Sequence, residues 1–102
     1  MTYTAELTDS HLQILRFIVL ETPTFILSLP QEGDDPEVAE GIRISNRHTD
    51  DLARLEFLQD VSAEVPIKIA DLEKKSGRKY RVFVVTKGGI TFFNELSNPR
   101  VN

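Results

Sequence analysis

Val38-Ala39-Glu40-Gly41-Ile42-Arg43-Ile44-Ser45, running on through Asn46-Arg47-His48-Thr49-Asp50-Asp51-Leu52-Ala53-Arg54-Leu55-Glu56-Phe57-Leu58, is the stretch on which the fold turns. Asp35 is placed to cap a helix with Pro36 at its first position, where a missing N–H costs nothing. Val38 and Ile42 stand four apart on one face. Gly41 is a poor helix-interior residue and predicts that this helix is ending. Ser45 then reads as the N-cap of a second helix. Its apolar positions Leu52, Leu55 and Leu58, with Ala53 and Phe57 beside them, form one amphipathic face. Two short helices joined by a tight turn are therefore predicted, an αα corner.

Upstream, Thr8–Glu21 reads as a helix capped by Thr8, with Asp9 in the first turn where the helix dipole favours negative charge. Leu12, Leu15, Ile18 and Val19 recur at helical spacing, and Pro23 stops the run. Phe25 to Leu29 is a short apolar run between prolines that fits a buried strand or a short helix equally. Gln31 to Pro36 is an acidic loop. Downstream, Pro66 to Glu73 starts close to period two, Lys74-Lys75-Ser76-Gly77-Arg78-Lys79 reads as a charged turn, and Tyr80 to Thr86 is rich in β-branched and aromatic residues. Together they predict a β-hairpin. Thr86 can cap a last helix carrying Ile90, Phe92, Phe93 and Leu96, with Gly88 and Gly89 weakening its first turn.

The composition suits one globular domain spanning 1–102: 102 residues, 40% hydrophobic and 27% charged. There are no cysteines, which excludes disulfides and thiolate metal sites. No apolar run approaches the roughly 20 residues of a membrane span. The first ten residues lack the pattern of a secretory leader, so a cytoplasmic location is the expectation. The formal charge of −4 is unevenly spread. Residues 1–66 hold four basic side chains against thirteen acidic ones, whereas 67–102 hold eight against three. A nucleic-acid binder needs a basic footprint, and this chain carries one only in its last third.

The order of these elements, with Val38–Ser45, Thr49–Leu58 and Tyr80–Gly89 as the matching stretches, resembles the winged helix-turn-helix transcription regulators of bacterial and archaeal type. The resemblance covers roughly Thr8 to Leu96. It implies an α+β fold with a three-helix core, a β-hairpin wing and a C-terminal helix. It also implies double-stranded DNA as partner, a homodimer as the working form, and regulation of transcription as the role. Ala39 would let the two corner helices approach and Ile44 would plug the turn between them. The helix from Ser45 would lie in the major groove, with Ser45, Asn46, Arg47 and His48 at the base edges. There Arg47 could pair with guanine and Asn46 with adenine. Lys74, Lys75, Arg78, Lys79 and Arg81 on the wing would follow phosphate.

A second expectation stands beside the first. Asp50, Asp51 and Glu56 make the recognition-type helix acidic beyond its first turn, and such a face suits a protein partner of basic charge. A small-molecule effector between the first helix and Phe25–Leu29 ranks below both. Enzymatic signals are weak. His48 and Asp51 are two metal-ligand types three apart, which is too few for a site. Asp9-Ser10-His11 in one helical turn cannot form a triad by spacing alone. The Lys74–Lys79 turn lacks phosphate-loop glycine spacing. A non-enzyme without cofactor or metal is expected.

Overall fold

The computed structural model describes residues 7–97. Its order is α1 (Asp9–Leu20), β1 (Thr24–Ser28), α2 (Pro36–Arg54), β2 (Leu58–Asp60), a 3-10 turn (Ser62–Glu64), α3 (Pro66–Ser76), β3 (Tyr80–Val85) and α4 (Lys87–Ser97). The chain is thus α+β, with four helices and a three-stranded antiparallel sheet ordered β1-β3-β2. Among the described residues no helix is long and apolar enough to cross a membrane.

Several local expectations hold. Thr8 caps α1 and shares a reciprocal capping box with His11. The ambiguous run Phe25–Leu29 resolves largely into β1, whose Phe25 and Leu27 pair with Phe83 and Arg81 of β3. Asp35 caps α2 with Pro36 in its first turn. Thr86 Oγ1 accepts the Gly89 N–H at 3.0 Å and so caps the start of α4.

Two local expectations are overturned, the break between two short helices and the first strand of the hairpin. The helix begun at Pro36 does not end at Gly41; it runs unbroken to Arg54, 19 residues. Ser45 is therefore an interior residue and not an N-cap, and its carbonyl accepts the Thr49 hydroxyl at 2.7 Å. Ile44 plugs no turn and is 37% exposed. A glycine costs a helix interior only about 1 kcal/mol relative to alanine. Burial of Asn46, Thr49 and Leu52 in the second half of α2 outweighs that cost. The second correction concerns the wing. Pro66–Ser76 is a helix, not the first arm of a hairpin. Pro66 sits at its start, Gly77 closes it with φ 73°, and the Gly77 N–H reaches Glu73 O at 2.7 Å. β2 and β3 do pair antiparallel, but α3 lies in the connection between them.

The sheet has a helix layer on each side. Leu27 and Phe83 on one face join Leu15 and Ile18 of α1, Leu52 of α2, Leu58 of β2 and Phe92 of α4 in the main core. Phe57 stacks on Phe92 with ring centroids 4.5 Å apart. Val82, 1% exposed, points to the opposite face, where α3 and the 3-10 turn pack against β3.

The end of α2 carries a strained residue. The Phe57 N–H returns to Leu52 O and the Glu56 N–H to Ala53 O, the bonding that closes a helix through a left-handed residue. That residue is Glu56, φ 65°, where glycine is the usual occupant. Glu56→Gly is expected to stabilise the protein by about 0.5–1 kcal/mol, because the left-handed penalty of a side chain is removed. A rise in the urea midpoint at unchanged slope is the signature to look for.

Candidate functional site

The nine residues expected to hold DNA are scattered, and several are committed elsewhere. Asn46 is 8% exposed. Its Nδ2 donates to Ser28 O at 3.0 Å and to Ile42 O at 2.9 Å, and its Oδ1 accepts from Arg81 at 3.1 Å. Arg81 also pairs with Asp50 at 2.7 Å and Asp60 at 3.4 Å, and its guanidinium lies over the Phe83 ring. Arg78 grips both carboxylate oxygens of Asp34, at 2.7 and 2.9 Å, and donates to Leu29 O. Lys75 pairs with Asp71 along α3 and Lys79 lies 3.9 Å from Glu73. Lys74 and Arg47 are exposed and have no ionic partner among the described residues. Lys74 and Lys75 ride on the last turn of α3, not on a hairpin tip. Ser45 and His48 are half-buried in the middle of α2.

Arg78 leaves a titration signature. Its hydrogen bonds, with the Gln31 N–H, hold the Asp34 carboxyl down at about 2. A carboxyl depressed in the folded state stabilises the fold above its unfolded value near 3.8 and loses that contribution as pH falls toward 2. Denaturation midpoints of the wild type are therefore expected to fall between pH 4 and 2 more steeply than those of Asp34→Asn.

A half-buried couple joins α1 to α2, forty positions apart, beyond the reach of sequence pattern. The Thr8 N–H donates to His11 Nδ1 at 3.0 Å, which places the ring proton on Nε2, 2.9 Å from Asp51 Oδ2. That hydrogen bond, together with Arg54, lowers the Asp51 pKa. Thr8 Oγ1 lies 2.9 Å from the same Nδ1, so hydroxyl, imidazole and carboxylate are in line. The Nδ1 lone pair is already taken by the Thr8 amide, however, and the arrangement works as a helix cap rather than as a base on a hydroxyl. Asp51, like Asp50, is thus engaged internally, and the acidic face expected at Asp50, Asp51 and Glu56 keeps only Glu56 free of ion pairing. Among the described residues no three His, Cys, Asp or Glu side chains converge as a metal site would require.

A concave apolar feature built from three elements lies beside this couple. Ile14 and Phe17 of α1, Phe25 of β1 and Ile44 of α2 line a groove of about 330 Å³, rimmed by Ser10, Gln13, Ser45 and His48. Phe17 meets Phe25 edge to face, centroids 6.0 Å apart, yet remains 45% exposed. Burial and the neighbouring His11 push the His48 pKa below the usual imidazole value, so this rim residue is neutral at pH 7. The adjoining edge of β1 is partly capped against a further strand. Leu29 bonds to Lys79 of the β3 side, so Thr24, Ile26 and Ser28 turn their backbone groups outward. Thr22 Oγ1 engages Thr24 N and O, and Asn46 caps Ser28 O. The Ile26 N–H and C=O and the Ser28 N–H are left open.

Comparison of the chain with family models, with curated proteins and with solved structures finds no match.

Proposed function

We propose that this domain is a protein-interaction module that receives the apolar face of a partner helix in the α1–β1–α2 groove. The observation that carries this reading is the groove itself: four large apolar side chains from three elements, with Phe17 and Ile44 kept at the surface. Contiguous exposed apolar surface with a polar rim marks a binding site. A helix suits it better than a strand, because the partly capped β1 edge leaves only three backbone groups for pairing. A neutral rim favours apolar anchors over charged ones.

The winged-helix reading is compatible with four helices and a small antiparallel sheet, and it keeps α2, β2 and β3 as counterparts of a corner helix and wing strands. The DNA role that went with it has less to support it than the groove does. Asn46, Arg78 and Arg81 serve the fold, and the expected start of a recognition helix is the middle of α2.

The test is a pair of selections on the whole chain: a displayed library of helical peptides, and a random duplex DNA library at moderate salt. Enriched peptides are expected to bind the wild type and to lose at least about tenfold in affinity, roughly 1.4 kcal/mol, on Phe17→Ser or Ile44→Ser. Amide chemical-shift changes should centre on Ser10–Phe17 and Ile44–His48. Peptide binding indifferent to both variants, or an enriched DNA site whose affinity falls steeply with salt, would overturn the proposal.

A further inference from the structure

α1 is a ridge between two grooves. On one side is the neutral groove toward β1 and α2. On the other, Leu12 of α1 with Phe93 and Leu96 of α4 line a second groove of about 340 Å³, bounded by Asp9, Gln13 and Arg16. Gln13 borders both. Residues seven apart on a helix fall almost on one line, two turns along. The outward surface of α1 consists of three such pairs, all exposed. Ser10 and Phe17 form the shoulder of the first groove, Gln13 and Leu20 the crest, Asp9 and Arg16 the shoulder of the second. The crest is partly apolar, with Leu20 at 53% exposure, and Leu96 across the second groove is at 47%. The two shoulders differ in charge. The first carries none. On the second, Asp9 and Arg16 have no ionic partner among the described residues.

We propose that the partner is a helical hairpin that straddles α1, one helix in each groove, an inference that rests on the first groove being a helix receptor. A single helix there would cover Phe17 but leave Leu20, Leu96 and the second groove in water. Packed helices keep their axes about 8–10 Å apart. Two helices flanking one ridge are therefore close enough to touch each other and close over Gln13 and Leu20. The free charges define the helix on the α4 side. Asp9 and Arg16 are about 10.5 Å apart along α1. They call for a basic and an acidic residue seven apart on the partner, with apolar residues between them facing Leu12, Phe93 and Leu96. Such rim charges set register and orientation more than affinity. The helix in the first groove needs apolar anchors alone. Joining the two helices makes the second docking intramolecular, which strengthens binding without a new contact.

The experiment selects displayed helical hairpins on the whole chain, with the single-helix library run in parallel. Enriched hairpins are expected to bind at least about tenfold more tightly than enriched single helices. They should lose about tenfold or more on Phe17→Ser and, separately, on Leu96→Ser or Arg16→Glu. Replacing the hairpin's acidic residue opposite Arg16 by lysine should restore binding to Arg16→Glu, since the contact is then again of opposite sign. Amide chemical-shift changes should reach Phe93–Leu96 with hairpins and not with single helices. Circular dichroism checks the fold; if Leu96→Ser unfolds, Arg16→Glu and its charge-swapped hairpin carry the test. No enriched hairpin, hairpins indifferent to Leu96→Ser and Arg16→Glu, or a charge swap without rescue overturns the inference. Single helices that still lose affinity on Phe17→Ser would then leave the first groove standing and remove only the hairpin. Hairpins sensitive to the α4 side but indifferent to Phe17→Ser would overturn both.

Discussion

Gly89→Ala is expected to destabilise the protein by about 3 kcal/mol or more, roughly 15 °C in Tm for a domain of this size. A Cβ at position 89 would lie 2.3 Å from the Phe57 carbonyl oxygen, 3.1 Å from the Phe57 carbonyl carbon and 2.9 Å from Val85 Cγ2. The valine methyl could rotate away, but the carbonyl could not. It accepts the Thr86 N–H at 3.0 Å, and Phe57 is tied to Leu52 O through its own N–H. To make room, α4 would have to lift off the corner that joins α2 to β2, opening the stack of Phe57 on Phe92. Gly88 is the built-in control. Its added Cβ would meet Glu56 O and Thr86 Oγ1 at 3.6 Å, ordinary contacts, so Gly88→Ala is expected to be neutral or to gain up to about 1 kcal/mol of helix propensity. Thermal denaturation of the two variants side by side checks both statements.

Arg81→Met is expected to cost about 2 kcal/mol, less than the loss of a partner from a fully buried pair because the arginine side chain is 24% exposed. Methionine keeps the aliphatic packing but removes the charge. Asp50 of α2 and Asp60 of β2 then lose the cation between them, and Asn46 Oδ1 loses its donor. Asn46 also caps the β1 edge through Ser28 O, so the change reaches from the sheet centre to its rim. Urea denaturation should show the loss. Combining Arg81→Met with Asp50→Asn should cost less than the sum of the two single changes, since the pair acts as a unit. The same variant separates the two readings of Arg81. A residue held ready for DNA phosphate would leave stability near the wild-type value when removed.

The two wrong elements failed for identifiable reasons. At Gly41–Ser45 a weak helix residue and a good capping residue stood at corner spacing, and local chemistry read as a break. The decisive forces were not local: Leu52 and Thr49 bury completely, and the Asn46 side chain, engaged with Ser28 of β1, has no reason to start a new helix. At 66–76 the alternation of Ile67 and Ile69 imitated a strand. A signal for the helix was present in Pro66 and Gly77, a proline just inside and a glycine just past eleven residues. Ile69 and Leu72, three apart, are the half-buried apolar positions. The groove was only partly legible. Ile14 and Phe17 widen the apolar stripe of α1, yet nothing local says that they meet Phe25 and Ile44.

What the sequence by itself determined lies within a few residues along the chain. The Thr8, Asp35 and Thr86 caps, the stop at Pro23 and the strand character of Tyr80–Val85 rest on hydrogen bonds and backbone sterics that act over one turn. The tertiary structure alone decided whether Val38–Leu58 was one helix or two. It also decided whether the basic residues of the last third faced outward, and which apolar side chains remained at the surface. Those outcomes depend on partners tens of positions away, as Arg78 finds Asp34, Arg81 finds Asp50 and His11 finds Asp51. Net charge and local pattern carry no record of such pairings, because an arginine is written identically whether it meets solvent or a carboxylate.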